Sequence, residues 1–290
     1  MSQASASVSA AAGVTRRRRR PQARAYAIFR PIALGIFVVV LVFPIIWMIL
    51  ASLKSNADVY DASRTFIFTP ILDNYQTVFG EQSFLKYFGN SLIVATASTG
   101  LSLAIGVPAA YTMAKYTMKR SANTVLMARI IPSISLIVPW YFIFANLGLV
   151  GGYGAMVLAH MFISVPLIVW IMLPFFEGLP VELEEAGLID GLTRISVFFR
   201  ISLPLAAPGI ATAGILSFIF SWNNFLFSLI LSGSQSRTLP VAIMNFIGYA
   251  SIDWGGLMAA SAAITVPIMV IAIFFQKYVV SGLTAGATKG

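Results

Sequence analysis

The chain contains no cysteine and few charged residues for its length. None of its 290 residues is cysteine and only 10% are charged, against about 25% in a typical soluble domain. Without cysteine there is no disulfide framework, no thiolate metal site and no cysteine nucleophile. In contrast, 58% of the residues are hydrophobic and the mean hydropathy is +0.86. This composition excludes an ordinary soluble domain and predicts a membrane protein.

Acidic residues are missing from every long apolar run. A helix needs about 20 apolar residues to cross a bilayer, and six runs meet this length: 31–53, 91–113, 125–147, 155–176, 208–231 and 256–278. We therefore expect an all-α membrane protein with six transmembrane helices. Longer polar segments lie at 54–90, 177–204 and 232–255.

The N-terminal segment differs in composition from the rest of the chain. Residues 1–30 are rich in Ser and Ala and carry seven arginines, five of them in the run 16–20. This composition predicts a disordered basic tail, followed by a transmembrane domain over 31–290. A signal peptide is the alternative, but the apolar run is too long and no small-residue cleavage pattern follows it.

The basic residues predict the orientation of the chain. The formal charge is +9, and with the N-terminus in the cytoplasm fourteen of the nineteen Lys and Arg residues fall in cytoplasmic segments. The positive-inside rule therefore predicts that both termini are cytoplasmic. The arginine run is then an anchor near anionic lipid, and no nucleic-acid partner is expected.

The sequence offers little for catalysis. His160 and Arg129 are the deep ionisable residues of the spans, and a lone histidine cannot form a metal site. No phosphate-binding GxxxxGK[ST] loop is present. We expect neither enzymatic activity nor a bound cofactor or metal. A secondary transporter would need intramembrane acids to couple ions, so any transport by this chain must draw its energy from another subunit.

The cytoplasmic segment 177–204 carries the clearest motif. Pro180 favours a helix start, the acids Glu182, Glu184 and Glu185 suit the positive end of the helix dipole, and Gly191 allows a C-terminal turn. The segment resembles the EAA motif of ABC importer permeases in its residue types and spacing. The matching residues are Glu185, Ala186, Gly191, Ile201, Leu203 and Pro204, and Gly187 replaces the usual second alanine.

This resemblance implies a type I ABC importer permease in which 177–204 is the coupling loop. Its coupling helix would contact the ATPase through Glu184 to Gly187, Asp190 and Gly191. The implied partners are a second permease subunit forming a heterodimer, an ABC ATPase dimer that binds ATP and Mg²⁺, and an extracytoplasmic solute-binding protein. Glycine at 187 keeps the position small but lowers helix propensity.

The C-terminal third is similar to the carbohydrate-uptake branch of the family, and more closely to the maltose-permease G-subunit type. The residues that carry this similarity are 222–227, 238–240, 253–255, 276–278 and 281–290. By resemblance, the loop 232–255 would reach the binding protein through Ile247, Tyr249, Asp253 and Trp254. The tail 281–290 would contact the ATPases through Thr284 and Lys289. The expected location is a bacterial cytoplasmic membrane.

The candidate substrate pathway rests on amide and aromatic groups within the membrane. Trp222, Asn223 and Asn224 offer hydrogen bonds beside an aromatic face, as a sugar site requires, and His160 is a weaker candidate. The alternative is that the asparagines pair with neighbouring helices while Trp222 packs. A sugar or polyol is the expected substrate. A permease for a peptide, amino acid or phosphate ester, an intramembrane enzyme and a membrane scaffold are the other readings.

Overall fold

The computed structural model describes residues 21–81, 83–249 and 251–285. These residues are mainly helical. Extended backbone pairs in two isolated bridges, Gly151 with Ser232 and Ile247 with Ile252. The α-helices are α1 (Pro21–Ser52), α2 (Asn56–Tyr60), α3 (Asp73–Gln76), α4 (Phe84–Lys115), α5 (Lys119–Met127), α6 (Ile137–Asn146), α7 (Tyr153–Glu177), α8 (Val181–Ile189), α9 (Arg194–Val197), α10 (Leu203–Leu205), α11 (Ala207–Trp222), α12 (Leu226–Leu231), α13 (Leu239–Ala242) and α14 (Trp254–Ala285).

Short helical turns of other types join several of these helices. The 3₁₀ turns are Ala62–Arg64, Ala128–Ile130, Ser133–Leu136 and Ile243–Phe246, and the π-helical turns are Thr77–Glu81 and Phe198–Ser202. The chain divides into two compact units, Met1–Trp47 and Met48–Gly290. In the first unit, the rings of Phe43 and Trp47 lie one helical turn apart in a tilted arrangement, with centroids separated by 5.9 Å.

Helix α1 starts earlier than the sequence suggested. It begins at Pro21 and continues through Pro31 and Pro44, so the prediction of a disordered tail over 1–30 is wrong for 21–30. Gln, Ala and Arg in this stretch favour a helix, and Pro21 is tolerated in a first turn, where its missing N–H has no helical partner. Residues 1–20, including the arginine run, lie outside the described residues.

Four helices are long and apolar enough to cross a membrane: Phe29–Ser52, Phe84–Lys115, Tyr153–Glu177 and Trp254–Gln276. They coincide with the apolar runs expected as the first, second, fourth and sixth spans. Two bent pairs pass the same test together, Lys119–Ile130 with Ser133–Asn146 and Arg194–Leu205 with Ala207–Trp222. The protein is thus a multi-pass membrane protein with four candidate spans among the described residues, or six if each bent pair is one span.

The third expected span is not one straight helix over 125–147. Its two halves meet at 90°, and the bend falls at Ile131–Pro132. Pro132 cannot donate a backbone hydrogen bond and disfavours helical geometry in the residue before it. Ile131 accordingly takes an extended conformation, with φ −72° and ψ 119°.

The fifth expected span, 208–231, is also interrupted. Helix α11 ends at Trp222 and α12 starts at Leu226. The Asn223 side chain donates to the carbonyl of Ile219 over 2.9 Å, and the Asn224 side chain accepts from the backbone N–H of Phe227 over 3.1 Å. Asparagine side chains that bond to nearby backbone in this way compete with helical hydrogen bonds, which explains the break.

Helices α4, α7 and α11 pack together in the second unit. Small residues line their contacts. A Cβ added to Gly106 of α4 would lie 2.9 Å from Cγ2 of Ile168 in α7, and the hydroxyls of Ser98 and Ser221 join α4 to α11 over 2.9 Å. Close approach at small residues and interhelical hydroxyl bonds are typical of helix packing in membranes, where burial of apolar surface cannot drive association.

Candidate functional site

The predicted coupling helix is present as α8. Pro180 occupies its N-cap position, and Asp190 is its C-cap. Gly191 follows with φ +88°. The N–H of Leu192 donates to the carbonyl of Gly187 over 3.0 Å, and that of Gly191 donates to Leu188 over 3.1 Å. These two bonds form a Schellman motif, which closes a helix when the next residue is left-handed. The glycine of the motif is therefore required by backbone geometry.

The two ends of the coupling loop pack against each other. A Cβ added to Gly187 would lie 2.5 Å from Cδ1 of Ile201, so the glycine allows α8 to approach the π-helical turn Phe198–Ser202. Ile201 and Leu203 are half-buried, whereas Pro204 is exposed at the start of the next helical segment. The structure thus brings Gly187 and Ile201 of the sequence motif into contact.

Glu184 faces inward and is buried. Its Oε2 forms an ion pair with Nζ of Lys115, the last residue of α4. The hydroxyl of Ser202 donates to its Oε1 over 2.6 Å. Burial by itself would raise the pKa of the Glu184 carboxyl, but the hydrogen bonds from Lys115 and Ser202 and the lysine charge hold that pKa below its usual value. The carboxylate is therefore ionised at neutral pH.

The opposite face of α8 is uncovered. Glu185, Ala186 and Asp190 are exposed, and Ile189 is 86% exposed. A short helix with small and apolar residues on its open face provides a surface that a partner's backbone can approach closely. Of the predicted ATPase-contacting residues, Glu185, Ala186 and Asp190 lie on this face, whereas Glu184 and Gly187 point into the protein.

His160 lies in a buried polar chain between three helices. The ring is fully buried, and its Nδ1 is 2.7 Å from the Ser221 hydroxyl, which is 2.9 Å from that of Ser98. Nε2 makes no hydrogen bond within the described residues, although the Asn224 side chain is close enough to interact with the ring. These hydrogen-bonded side chains join α4, α7 and α11.

The other predicted pathway residues occupy different environments. Trp222 is 2% exposed, packs edge-on against Phe88 and donates to the carbonyl of Ile264 over 3.4 Å. A solute could reach it only if these contacts separated. Asn223 is exposed and Asn224 is half-buried, and both bond to backbone of their own segment. Direct contact of these residues with a solute stays a prediction.

The loop predicted to reach the binding protein ends in a small hairpin. Ile247 and Ile252 form an isolated antiparallel bridge, with Tyr249 completely exposed beyond it and Ile247 44% exposed. Asp253 caps α14, since its Oδ1 accepts from the N–H of Gly256 over 2.9 Å and also from the Asn56 amide. Trp254 donates to the Tyr60 hydroxyl over 2.7 Å. Asp253 and Trp254 thus have structural contacts, whereas the Tyr249 side chain is exposed.

The predicted ATPase-contacting tail is described only in part. Thr284 lies in α14, which continues to Ala285, and Lys289 lies outside the described residues. Within the described residues, no group of three or more His, Asp or Glu residues is arranged to hold a metal ion.

Sequence reasoning missed the residues that support these sites. Lys115 and Ser202 bond to Glu184, and Ser221 and Ser98 extend the hydrogen-bonded chain that begins at His160. The only available signal was compositional, namely small polar residues within apolar spans, which often mark helix contacts. Lys115 and Glu184 are 69 residues apart, and no periodicity links them.

The described residues form several apolar helices long enough to cross a bilayer, with the short helix α8 exposed between two of them. This arrangement is that of a polytopic membrane protein. The family described as binding-protein-dependent transport system inner membrane component matches residues 102–285. The chain belongs to this family.

Characterised relatives match nearly the whole chain. The sulfoquinovosyl glycerol transport system permease protein of Agrobacterium fabrum is 38% identical over 266 residues, which cover 90% of this chain and 93% of the relative. The trehalose/maltose transport system permease protein of Thermococcus litoralis is 37% identical, over 87% of this chain and 93% of the relative.

Solved structures share the fold. The crystal structure of a bacterial ABC transporter involved in import of the acidic polysaccharide alginate aligns with a TM-score of 0.76 at 20% identity, over 90% of this chain and 98% of that chain. An inward-facing MetNI methionine ABC transporter aligns with a TM-score of 0.55 at 19% identity, over 68% of this chain and 95% of that chain. The fold is therefore that of ABC importer permeases.

Proposed function

We propose that the protein is the transmembrane subunit of an ATP-driven importer that moves a sugar or polyol by alternating access and performs no chemistry itself. The observation that carries this proposal is α8, which is closed at its C-terminal end by a Schellman motif, held by Glu184 on one face and open at Ala186 and Ile189 on the other. Movement of a docked ATPase can displace such a helix, and the displacement can reach the spans. Two relatives named for glycoside or sugar transport support the substrate class.

The proposed partners are those of a complete importer. They are a second permease subunit, an ABC ATPase dimer against the open face of α8, and an extracytoplasmic solute-binding protein at the hairpin around Tyr249. ATP and Mg²⁺ would bind to the ATPases, and this chain would hold no cofactor. A related alginate transporter has been solved in complex with a periplasmic protein that carries an alginate pentasaccharide, which supports this type of assembly.

The proposed topology has six spans in a bacterial cytoplasmic membrane, with both termini in the cytoplasm. It takes the first bent helix pair as the third span and Ala207–Trp222, the second half of the other pair, as part of the fifth, and it places the excess of basic residues inside. The coupling loop 177–204 then lies on the ATP side and the loop 232–255 on the other.

Copurification and uptake test the proposal together. The tagged protein should bring down a P-loop ATPase, and Glu185→Ala combined with Gly191→Pro should abolish uptake, because the first removes a charge from the open face and the second disrupts the end of α8. Gly89→Ala is the control, since this helical glycine has open space around its Cα. An absent ATPase together with unchanged uptake in the double variant would disprove the importer.

The solute-binding protein of the proposed importer would identify the substrate. Its thermal shift over a panel of sugars, polyols, peptides, amino acids and phosphate esters should show stabilisation by a sugar or polyol, because ligand binding to the native state raises the unfolding temperature. Stabilisation by another class alone would replace the sugar assignment while leaving the importer intact.

A further inference from the structure

The carboxylate of Glu184 is shared between two parts of the fold. One oxygen is paired with Lys115, at the end of the long helix α4. The other accepts from Ser202, which closes the π-helical turn that leads through α10 into α11. The coupling helix is therefore joined through a single side chain to two helices of the membrane bundle.

The pair is shielded from solvent. The side chains of Lys115 and Glu184 are 22% and 11% exposed, and Nζ of Lys115 also donates to the Tyr111 hydroxyl over 3.2 Å. Removing one member of a buried pair is costly, because the remaining charge has lost both water and its partner. The geometry is thus held more firmly than in a surface ion pair.

The other acidic residues of the loop lack this arrangement. Glu177, Glu182 and Glu185 are exposed, and none of them forms an ion pair within the part of the chain that the structure describes. Glu177 even lines the same cavity of about 260 Å³ as Lys115 and Glu184. The cavity therefore borders the ion pair.

The side chains around Glu184 pack closely against one another. Gly187 lets α8 rest on Ile201, and the ring of Tyr111 packs against Phe176 and Phe198 with centroids 5.4 and 4.8 Å away. A π-helical turn such as Phe198–Ser202 interrupts regular helical geometry and is frequent at functional sites. A displacement of α8 therefore reaches α4 and α11 through packed, hydrogen-bonded side chains.

We propose that Glu184 is a positioning residue for energy coupling, which passes movement of the coupling helix to α4 through Lys115 and to α11 through Ser202. The inference rests on the proposed function, since only an importer whose coupling helix docks on an ATPase has such a movement to transmit. Glu184 itself does not need to touch the ATPase or the solute.

The test measures ATP hydrolysed per solute imported by the complete transporter in proteoliposomes, with its ATPase and binding protein present. Coupling free energies between sites typically correspond to factors of about 5–150. We expect Glu184→Gln and Lys115→Met to raise the ratio at least about fivefold, and Ser202→Ala to raise it less. The charge exchange Lys115→Glu with Glu184→Lys should restore part of the coupling.

The control is Glu177→Gln, the same substitution at the wall of the same cavity, which should leave the ratio unchanged. Assembly with the ATPase and the thermal unfolding temperature are measured alongside. An unchanged ratio in Glu184→Gln and Ser202→Ala, or a loss of transport that only follows the amount of assembled complex, would overturn the inference. If the wild-type complex contains no ATPase or imports nothing with ATP, the proposed function itself fails.

Discussion

Gly187 occupies a position where a methyl group would meet Cδ1 of Ile201 at 2.5 Å. Alanine would gain about 1 kcal/mol of helix propensity, but overpacking costs about 1–3 kcal/mol. We therefore expect Gly187→Ala to leave the unfolding temperature of the purified complex unchanged or lower. Adding Ile201→Val removes the clashing atom, so the double variant should be more stable than the two single effects predict. Strict additivity would show that this contact does not limit the position.

Gly191 presents a different requirement, because its φ of +88° is costly for any residue with a Cβ. Left-handed geometry costs an alanine about 1–2 kcal/mol. Gly191→Ala should lower the unfolding temperature and weaken copurification with the ATPase, as the end of α8 loses its shape. Gly89→Ala lies in a regular helix with open space around it and should have neither effect.

The lowered pKa of Glu184 predicts how the stability of the folded protein depends on pH. A carboxyl with a folded-state pKa below its unfolded value, about 4.3 for glutamate, stabilises the protein above the unfolded pKa. This stability is lost as the pH falls through the folded pKa. Thermal unfolding of wild type and Glu184→Gln should therefore differ most above about pH 5 and converge in stronger acid. A difference that grows on acidification would contradict the assigned ion pair.

At the scale of elements, helix capping shows which residues of the loop 232–255 stabilise the fold rather than contact a partner. Asp253 caps α14 and bonds to Asn56, so Asp253→Ala should cost about 0.5–2 kcal/mol of stability. Asp253→Asn keeps an acceptor oxygen and should cost less. Unfolding of the purified protein measures both, and equal losses would exclude capping as the cause.

Tyr249 should behave in the opposite way to Asp253. Its side chain is completely exposed at the hairpin, so Tyr249→Ala should leave the unfolding temperature unchanged. It should reduce stimulation of ATP hydrolysis by the binding protein, because an exposed aromatic side chain at an interface is often a hot spot. Unaltered stimulation would place the binding-protein contact elsewhere.

The locations of the helices were predictable from the sequence. The places where helices are interrupted were harder to predict. Apolar runs sufficient to span a bilayer located α4, α7 and α14, and Pro180 with Gly191 defined α8. The interruptions depended on single residues. Pro132 lies at the 90° bend of the third expected span, and Asn223 and Asn224 bond to nearby backbone where α11 and α12 separate. Proline is tolerated within α4, α7 and α14, so its presence alone did not reveal which span would bend.

The inward residues of the candidate site were the least predictable. Three glutamates within four positions were equally acidic by sequence, and only packing shows that Glu184 turns inward to Lys115. The motif itself specifies Glu185 and Gly191. Glu185 lies on the exposed face of α8, and Gly191 follows its C-cap with a positive φ. Partners that are distant along the chain, such as Ser221 for His160, need the fold before they can be found.

At the scale of the whole molecule, the absence of cysteine makes topology directly measurable. Ile189 and Tyr249 are highly exposed and lie on opposite sides of the membrane in the proposed topology. A membrane-impermeant maleimide should label Tyr249→Cys in spheroplasts and Ile189→Cys only after permeabilisation. The wild-type chain has no cysteine to label and is the control. The reverse pattern would refute the cytoplasmic termini.

The uncovered side of the coupling loop also has a consequence for the cell. Ile189, Ile195 and Phe199 are 86%, 72% and 59% exposed, although they belong to a segment that would face the cytoplasm. A subunit made without its ATPase would present these side chains to the proteases that survey unassembled proteins. Pulse-chase should then show a shorter lifetime for the orphan chain, so that the supply of ATPase sets how many copies of this subunit persist.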